Sequence, residues 1–180
     1  ICKADAVVKL RAHNSAFCRD CFLKFFTNQI QRGIEKENLF TRDDRILVCI
    51  SGGKDSLSLL YELTQLGYDV TGLSIPGSSS VARGIVEDFC ARHKLALITK
   101  VLAEDGLAMP DVKAAVRRPI CSVCGKIKRY YFNKIAMDNG FTALATGHNL
   151  DDEVARLFSN TLRWDKAYLS TEGPLLPAEN

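Results

Sequence analysis

The sequence predicts an α/β fold, a parallel sheet wound with helices, preceded by a small cysteine-bearing hairpin and helix. Three observations predict it. From Arg45 onward, short apolar runs alternate with amphipathic helical stretches. The first of those runs leads straight into a glycine-rich turn, Ser51-Gly52-Gly53-Lys54-Asp55-Ser56. And three of the seven cysteines fall within the first 21 residues, around a short alternating stretch. The chain of 180 residues is 47% hydrophobic and 25% charged, which excludes collagen, coiled coil and wholesale disorder. Its net charge of +3 does not by itself demand nucleic acid. No apolar run reaches the roughly 18 residues of a membrane span. Ile1-Cys2-Lys3-Ala4 is not a secretory signal, and the missing Met suggests that the natural start lies upstream.

The elements follow in order. Ala6-Val7-Val8-Lys9-Leu10 and the cysteines around it read as a metal-held hairpin. Phe17 to Glu37 is expected to be helical, with Phe22, Phe25, Phe26 and Ile30 three and four residues apart. Thr41 to Arg45 is a polar linker. Two segments result: 1–40, hairpin plus linker helix, and 41–180, the main domain. Ile46 to Ile50 is a strand buried on both faces. Leu57 to Leu66 is a helix stopped by Gly67. Val70 to Ile75 is the second strand, closed by Pro76-Gly77, and Val81 to His93 the second helix. Leu95 to Val101 is the third strand. Residues 103–120 read as irregular, with one helical turn at most. Cys121 to Asn139 is a long helix, Ala143 to Thr146 the fourth strand, and Leu150 to Leu162 the next helix. In such a sheet ligands lie at the carboxyl ends of the strands, so loops 51–56, 75–80 and 146–149 are expected to meet.

No secretory signal precedes the seven cysteines, so a reducing compartment and metal or redox chemistry are favoured over disulfides. Cys49 and Cys90 lie in apolar stretches and read as core. Cys121-Ser122-Val123-Cys124 opens the long helix, and Cys121, Cys124 and Lys128 stand at i, i+3 and i+7. Thiolates there suit zinc, Cu(I) or an iron–sulfur cluster, and a catalytic dithiol is the other reading. From Lys113 to Lys134 there are seven Lys or Arg and no Asp or Glu, interleaved with Tyr130, Tyr131 and Phe132. That composition suits an RNA backbone and unstacked bases, or simply a solvated helix face. At the N-terminus Cys2, Cys18 and Cys21 offer three ligands where a closed zinc site needs four, with Asp5 or His13 as candidates for the fourth.

The turn at 51–56 carries chemistry. Its glycines let the backbone approach an anion, and the following helix N-terminus aims N–H groups at it. Ser51 and Ser56 add hydroxyls, Lys54 a positive charge, and Asp55 a ligand for magnesium. The spacing is too short for the G-x-x-x-x-G-K-[ST] loop. The turn matches S-G-G-x-D-S, and Gly147-His148-Asn149-Leu150-Asp151-Asp152 follows the fourth strand. On these two strings and Cys121/Cys124, the chain resembles the tRNA 2-thiolation family of PP-loop ATPases, the TtcA/TtuA type. The cysteines near the N-terminus place it nearest the 2-thiouridine, TtuA-like branch. Pro174-Leu175-Leu176-Pro177 and Thr161-Leu162 also look familial.

The resemblance implies a PP-loop domain, Rossmann-like, and a tRNA uridine 2-sulfurtransferase acting through ATP cleaved to AMP and pyrophosphate. It implies ATP contacts at Ser51, Gly52, Gly53, Lys54, Asp55, Ser56, Ile75, Lys128, Gly147 and Asp152. Lys128, Asp152, Cys121 and Cys124 would be catalytic. It implies a [4Fe–4S] cluster on Cys121 and Cys124, whose third cysteine lies beyond the end of this sequence. It also implies zinc on Cys2, Cys18 and Cys21, whose first ligand lies three residues before Cys2. ATP, Mg²⁺, the cluster and Zn²⁺ are the implied cofactors. tRNA and a thiocarboxylated ubiquitin-like sulfur carrier are the implied partners, with a homodimer allowed, no membrane, and a cytoplasmic setting. The alternatives are another PP-loop adenylating enzyme, such as a lysidine synthetase or an amidotransferase domain, and a non-catalytic zinc and RNA binding module. Asn149 with the acids at 151–153 also makes an ordinary helix cap with no catalytic role.

Overall fold

A computed structural model of the chain describes residues 2–77, 80–169 and 173–176. They fall into two compact units. One gathers the described residues of Ile1–Thr41 and Gly173–Asn180; the other is Arg42–Glu172. Pro177 and positions 78 and 79 of the expected 75–80 loop lie outside the described residues.

In the first unit β1 (Val8–Leu10) pairs antiparallel with β2 (Ser15–Phe17), joined by a 3-10 turn that ends on Asn14 in the left-handed region. Asn tolerates that conformation better than most residues. Helix α1 (Arg19–Glu37) starts two residues later than its periodicity predicts, because Cys18 is extended and serves as its N-cap. Aromatic rings supply the packing. Phe25 meets Phe17 at 5.0 Å and the His13 ring edge-on at 5.2 Å.

The second unit holds a four-stranded parallel sheet in the order β5-β4-β3-β6. The strands are β3 (Arg45–Ile50), β4 (Asp69–Ser74), β5 (Leu97–Thr99) and β6 (Ala143–Thr146). Helices α2 (Lys54–Gln65), α3 (Ser80–His93), α4 (Met109–Ala115), α5 (Ile120–Asp138), α6 (Leu150–Leu162) and the short α7 (Lys166–Leu169) complete it. Ile46, Leu47 and Val48 of β3 are fully buried, as a central strand requires. Gly72 in β4 lets α2 lie close. A Cβ there would stand 2.9 Å from Leu60 Cδ2 and 3.1 Å from Ile50 Cδ1. Burial holds the Cys49 thiol up at about 12 and raises Cys90, so both are inert core residues, as their apolar settings predict.

Two expectations are corrected. The third strand is shorter than Leu95 to Val101, and the chain leaves it for a 3-10 turn at Leu102–Asp105. Residues 103–120 are more regular than expected. They contain that turn's end and α4, whose first turn takes Pro110, where a missing N–H costs nothing.

The chain runs β3, β4, β5 outward in one direction and then returns to place β6 on the other side of β3. The direction of winding therefore reverses between β3 and β6. Their register, Ile46 opposite Ala143 and Cys49 opposite Thr146, ends them side by side. The crevice of an open α/β sheet forms at such a point.

Candidate functional site

The loop after β3 is folded by its own hydroxyls. Ser51 N–H donates to Ser56 Oγ at 3.2 Å, and Ser56 Oγ–H donates to the Gly53 carbonyl at 3.1 Å. Ser56 is buried, so its hydroxyl closes the loop from inside rather than facing a ligand. Gly52 has φ +91°, a conformation natural to glycine, and a Cβ there would come within 3.3 Å of the Ala82 carbonyl on α3. Gly53 is the N-cap of α2. The first N–H groups of α2 are thus presented at the carboxyl edge of β3, where an anion is favoured. Leu57 N–H is already taken by the Gly53 carbonyl at 3.2 Å.

Lys54 and Asp55 sit at the start of α2 and pair with each other, Nζ to Oδ1 at 2.7 Å and to Oδ2 at 2.9 Å. The hydrogen bond from Lys54, with its charge and a second bond from Asn149 Nδ2 at 3.4 Å, holds the Asp55 carboxyl below the usual carboxylate range. The carboxylate form of Asp55 is therefore favoured, and Lys54, though paired with it, keeps an exposed side chain.

The loop after β6 is fitted onto this turn. Gly147 has no room for a side chain: a Cβ would stand 2.6 Å from Ser56 Cα and 2.8 Å from Ser56 N. Those are backbone atoms, which cannot swing aside. The resemblance implies a nucleotide near Gly147; the structure shows Gly147 packed on the main chain of the turn at 51–56. Asn149 caps α6, accepting from Asp152 N–H at 3.1 Å, while Asp152 Oδ2 accepts from Asn149 N–H at 3.0 Å. Asp152 is thus one half of a capping box. His148 Nδ1 lies 3.1 Å from Thr146 Oγ1.

Ile75 is buried in a cluster with Leu47, Leu73, Leu102 and Tyr131, so only its main chain is left to meet a nucleotide. Cys124 and Lys128 line one cavity of about 160 Å³ together with Pro76, Gly77, Leu102 and Met109. Those two residues are half-buried, whereas Cys121 is exposed. All three stand on α5 at i, i+3 and i+7; Cys124 and Lys128 line the cavity, and Cys121, in the first turn of the helix, is exposed. Among the described residues no third His, Cys, Asp or Glu gathers with Cys121 and Cys124. Two soft thiols one turn apart fit part of a cluster's ligand set.

At the N-terminus Cys2, Cys18 and Cys21 converge, with their sulfur atoms all within 4.8 Å of one another. Neither Asp5 nor His13 joins them; the His13 ring is spent on Phe25. Cys2 Sγ lies 3.2 Å from Cys21 and 3.4 Å from Cys18. Hydrogen bonding among the three lowers the Cys2 thiol and pushes Cys21 up to about 11, so they share protons that a dication would displace. Three thiols at this spacing fit a zinc ion.

One group escaped sequence reasoning. Lys100 Nζ donates to Asp105 Oδ1 at 2.8 Å, and Tyr131 Oη–H donates to Asp105 Oδ2 at 2.5 Å. The bond to Asp105 pushes the Tyr131 hydroxyl up to about 12, and the bonds from Lys100 and Tyr131 hold Asp105 low. These residues tie the turn after β5 to α5, on either side of the Cys124 cavity. No local pattern marks them, because they are 26 residues apart between Asp105 and Tyr131.

Comparison with known proteins bears on this arrangement. The N-terminal LIM domain of the 2-thiouridine synthetase TtuA matches residues 1–23 as a family model. The chain is 38% identical to the tRNA-5-methyluridine(54) 2-sulfurtransferase of Thermotoga maritima, over 98% of this chain and 60% of the relative. It is 40% identical to the enzyme of that name from Pyrococcus horikoshii, over 99% of this chain and 58% of the relative. The chain belongs to the tRNA 2-thiolation family of PP-loop ATPases. It spans about 60% of the length of those family members. Its fold is that of the family too. The U34-tRNA thiolase NcsA from Methanococcus maripaludis, solved with its [4Fe–4S] cluster, superposes with a TM-score of 0.78 at 23% identity, covering 97% of this chain and 60% of that one. Among the described residues no helix is long and apolar enough to cross a membrane.

Proposed function

We propose that the protein is an ATP-dependent tRNA uridine 2-sulfurtransferase. One observation carries the reading: Cys124 and Lys128 open into a single cavity with Pro76 and Gly77, at the same sheet edge from which the phosphate loop rises. A sulfur-handling thiol and a phosphate site thus share one edge, as a reaction joining activation to sulfur insertion needs. The names of the relatives support the substrate class.

In this reading the phosphates of ATP lie on the N–H groups at 52–56, with Ser51 and Lys54 adding donors and Asp55 holding Mg²⁺. The main chain of Ile75 flanks the nucleotide. The uridine C2 oxygen attacks the α-phosphorus, and pyrophosphate leaves. Lys128 stabilises the charge that builds on the α-phosphate. Asp152 keeps the loop after β6 in place through its cap, and Gly147 lets that loop seat against the phosphate turn. A sulfur nucleophile then adds at C2, the C2–O bond breaks, and AMP departs with the oxygen. Oxygen is exchanged for sulfur without net oxidation. A [4Fe–4S] cluster held in part by Cys121 and Cys124 would supply a soft site that carries sulfur, which a thiocarboxylated ubiquitin-like protein delivers. Zn²⁺ on Cys2, Cys18 and Cys21 holds the hairpin. The fitting setting is the cytoplasm, where thiols stay reduced, and the reading allows a homodimer.

The nucleotide products test this. With ATP, Mg²⁺ and tRNA, chromatography should resolve AMP and pyrophosphate. Release of ADP and phosphate would end the reading.

A further inference from the structure

The fold divides the basic, aromatic stretch of α5 into two faces. Tyr131 is buried and Phe132 half-buried, while Tyr130 is 61% exposed. Lys128 turns into the cavity with Cys124, while Lys126, Arg129 and Lys134 stay outside. The outer face carries a shallow, open groove lined by α5 alone, between Tyr130, Asn133, Lys134, Met137 and Asp138.

The Tyr130 ring is not left to wander. It stands edge-on to Tyr131, centroids 5.4 Å apart and planes at 89°. Tyr131 is itself fixed by its bond to Asp105. A ring held on one edge offers its faces to a planar partner at little entropic cost. Met137 adds a soft apolar wall. Asn133 supplies one amide donor pair and one acceptor, and Asp138, paired with Lys134 at 3.1 Å, supplies acceptors. Lys134 is balanced by Asp138 in the groove itself, while Lys126 and Arg129 stand exposed on the same helix on its N-terminal side. From Lys113 to Lys134 no carboxylate interrupts seven Lys and Arg.

We infer that this groove binds an unstacked base of the RNA substrate on Tyr130, with the flanking phosphates crossing Lys126 and Arg129. Stacking on an aromatic face beside a cationic track is how single-stranded nucleic acid is held. The charge favours a polyanion over an apolar peptide, and the flat ring with hydrogen-bonding groups beside it favours a base over a bare phosphate. Tyr130 does not line the Cys124 cavity, so the base it holds is not the reacting uridine itself. The inference rests on the reading that the protein acts on tRNA.

The test is tRNA affinity of the full chain, measured across a salt series. Tyr130→Ala should weaken binding about five- to a hundredfold, and Tyr130→Phe should bind like wild type, because the face is kept. Arg129→Ala should lower the slope of log affinity against log salt by about one, uniformly across sequences. Thermal midpoints should hold in Arg129→Ala, whose side chain is exposed, and in Tyr130→Phe, which keeps the ring against Tyr131. Unchanged tRNA affinity in Tyr130→Ala would overturn the inference while leaving the sulfurtransferase reading intact. Weaker binding of the sulfur-carrier protein with unchanged tRNA affinity would also overturn it, and assign the face to a protein. A wild-type protein with no affinity for tRNA would sink both.

Discussion

Gly147 shows how one residue decides whether two loops can meet. Its Cα lies against the backbone of Asp55 and Ser56, where any Cβ would collide with main chain. Gly147→Ala should cost about 1–3 kcal/mol of stability, the usual penalty for overpacking, and weaken nucleotide binding through a shifted phosphate turn. Calorimetric titration with an ATP analogue and a thermal melt would check both. Gly84→Ala is the control. It lies within α3 with nothing within 4 Å of the added carbon, so it should gain about 0.5–1 kcal/mol. Tyr131 gives a second prediction. Its hydroxyl is raised from the ordinary 10 to about 12 by its bond to Asp105. A group with a raised folded value stabilises fully below its unfolded value and loses that contribution as pH climbs through the folded one. The stabilisation from this bond should therefore be complete below pH 10 and vanish between 10 and about 12. Asp105 is the opposite case: its value is lowered, so its share is present above the ordinary carboxylate range and fades as pH falls through the lowered one. Ultraviolet titration of tyrosinate should show one late-ionising tyrosine, and Tyr131→Phe should remove it. A titration curve unaltered in that variant would contradict the assignment.

Among the elements, α5 gathers most of the chemistry. Its inner side faces the core through Tyr131 and Ala136, its flank lines the cavity through Cys124 and Lys128, and its outer side is basic. The periodicity of Cys121 to Asn139 was enough to find the helix. It was not enough to orient it, because apolar and basic residues alternate too closely for one stripe to stand out. Cys121, Cys124 and Lys128 read as one face at i, i+3 and i+7, and the structure adds that Cys121 is exposed while the other two are half-buried. Cys121→Ala and Cys124→Ala should each abolish thiouridine formation while ATP still binds, since the phosphate loop belongs to the turn between β3 and α2. The two should differ in stability. Cys121 is exposed and should cost almost nothing, whereas Cys124 faces the cavity and should cost more. Thiouridine assay, nucleotide binding and melting separate these effects. Activity alone does not distinguish a cluster from a dithiol. Anaerobic wild-type protein should be coloured and hold iron and labile sulfide; colourless, iron-free, fully active protein would favour the dithiol.

At the scale of the whole molecule, the chain is two units with separate sources of cohesion. The sheet unit buries Ile46, Leu47, Val48, Leu60 and Leu73 in an apolar core of its own. The hairpin unit has two three-residue strands, a few aromatic rings and three converging thiols. So small a core relies on staples. Chelation should therefore melt the hairpin and leave the sheet's transition in place. Cys18→Ala should lower zinc content and hairpin stability while sparing any iron-based absorbance. Zinc analysis with calorimetry would check this, and unchanged zinc in Cys18→Ala would remove Cys18 from the ligands.

The sequence by itself determined the alternation of strands and helices, the glycine-rich turn after β3, the cap at Asn149 and the two cysteine pairs. Each is a local pattern, set by periodicity, by φ preferences or by residues a few positions apart. Only the tertiary structure decided that β6 returns beside β3 and that Gly147 lands on Ser56. It alone turned Ile75 inward, spent His13 on Phe25, and joined Lys100, Asp105 and Tyr131. These outcomes rest on contacts between residues distant in the chain. Such contacts follow from how the elements pack to exclude water, and packing leaves no mark on any short stretch of sequence.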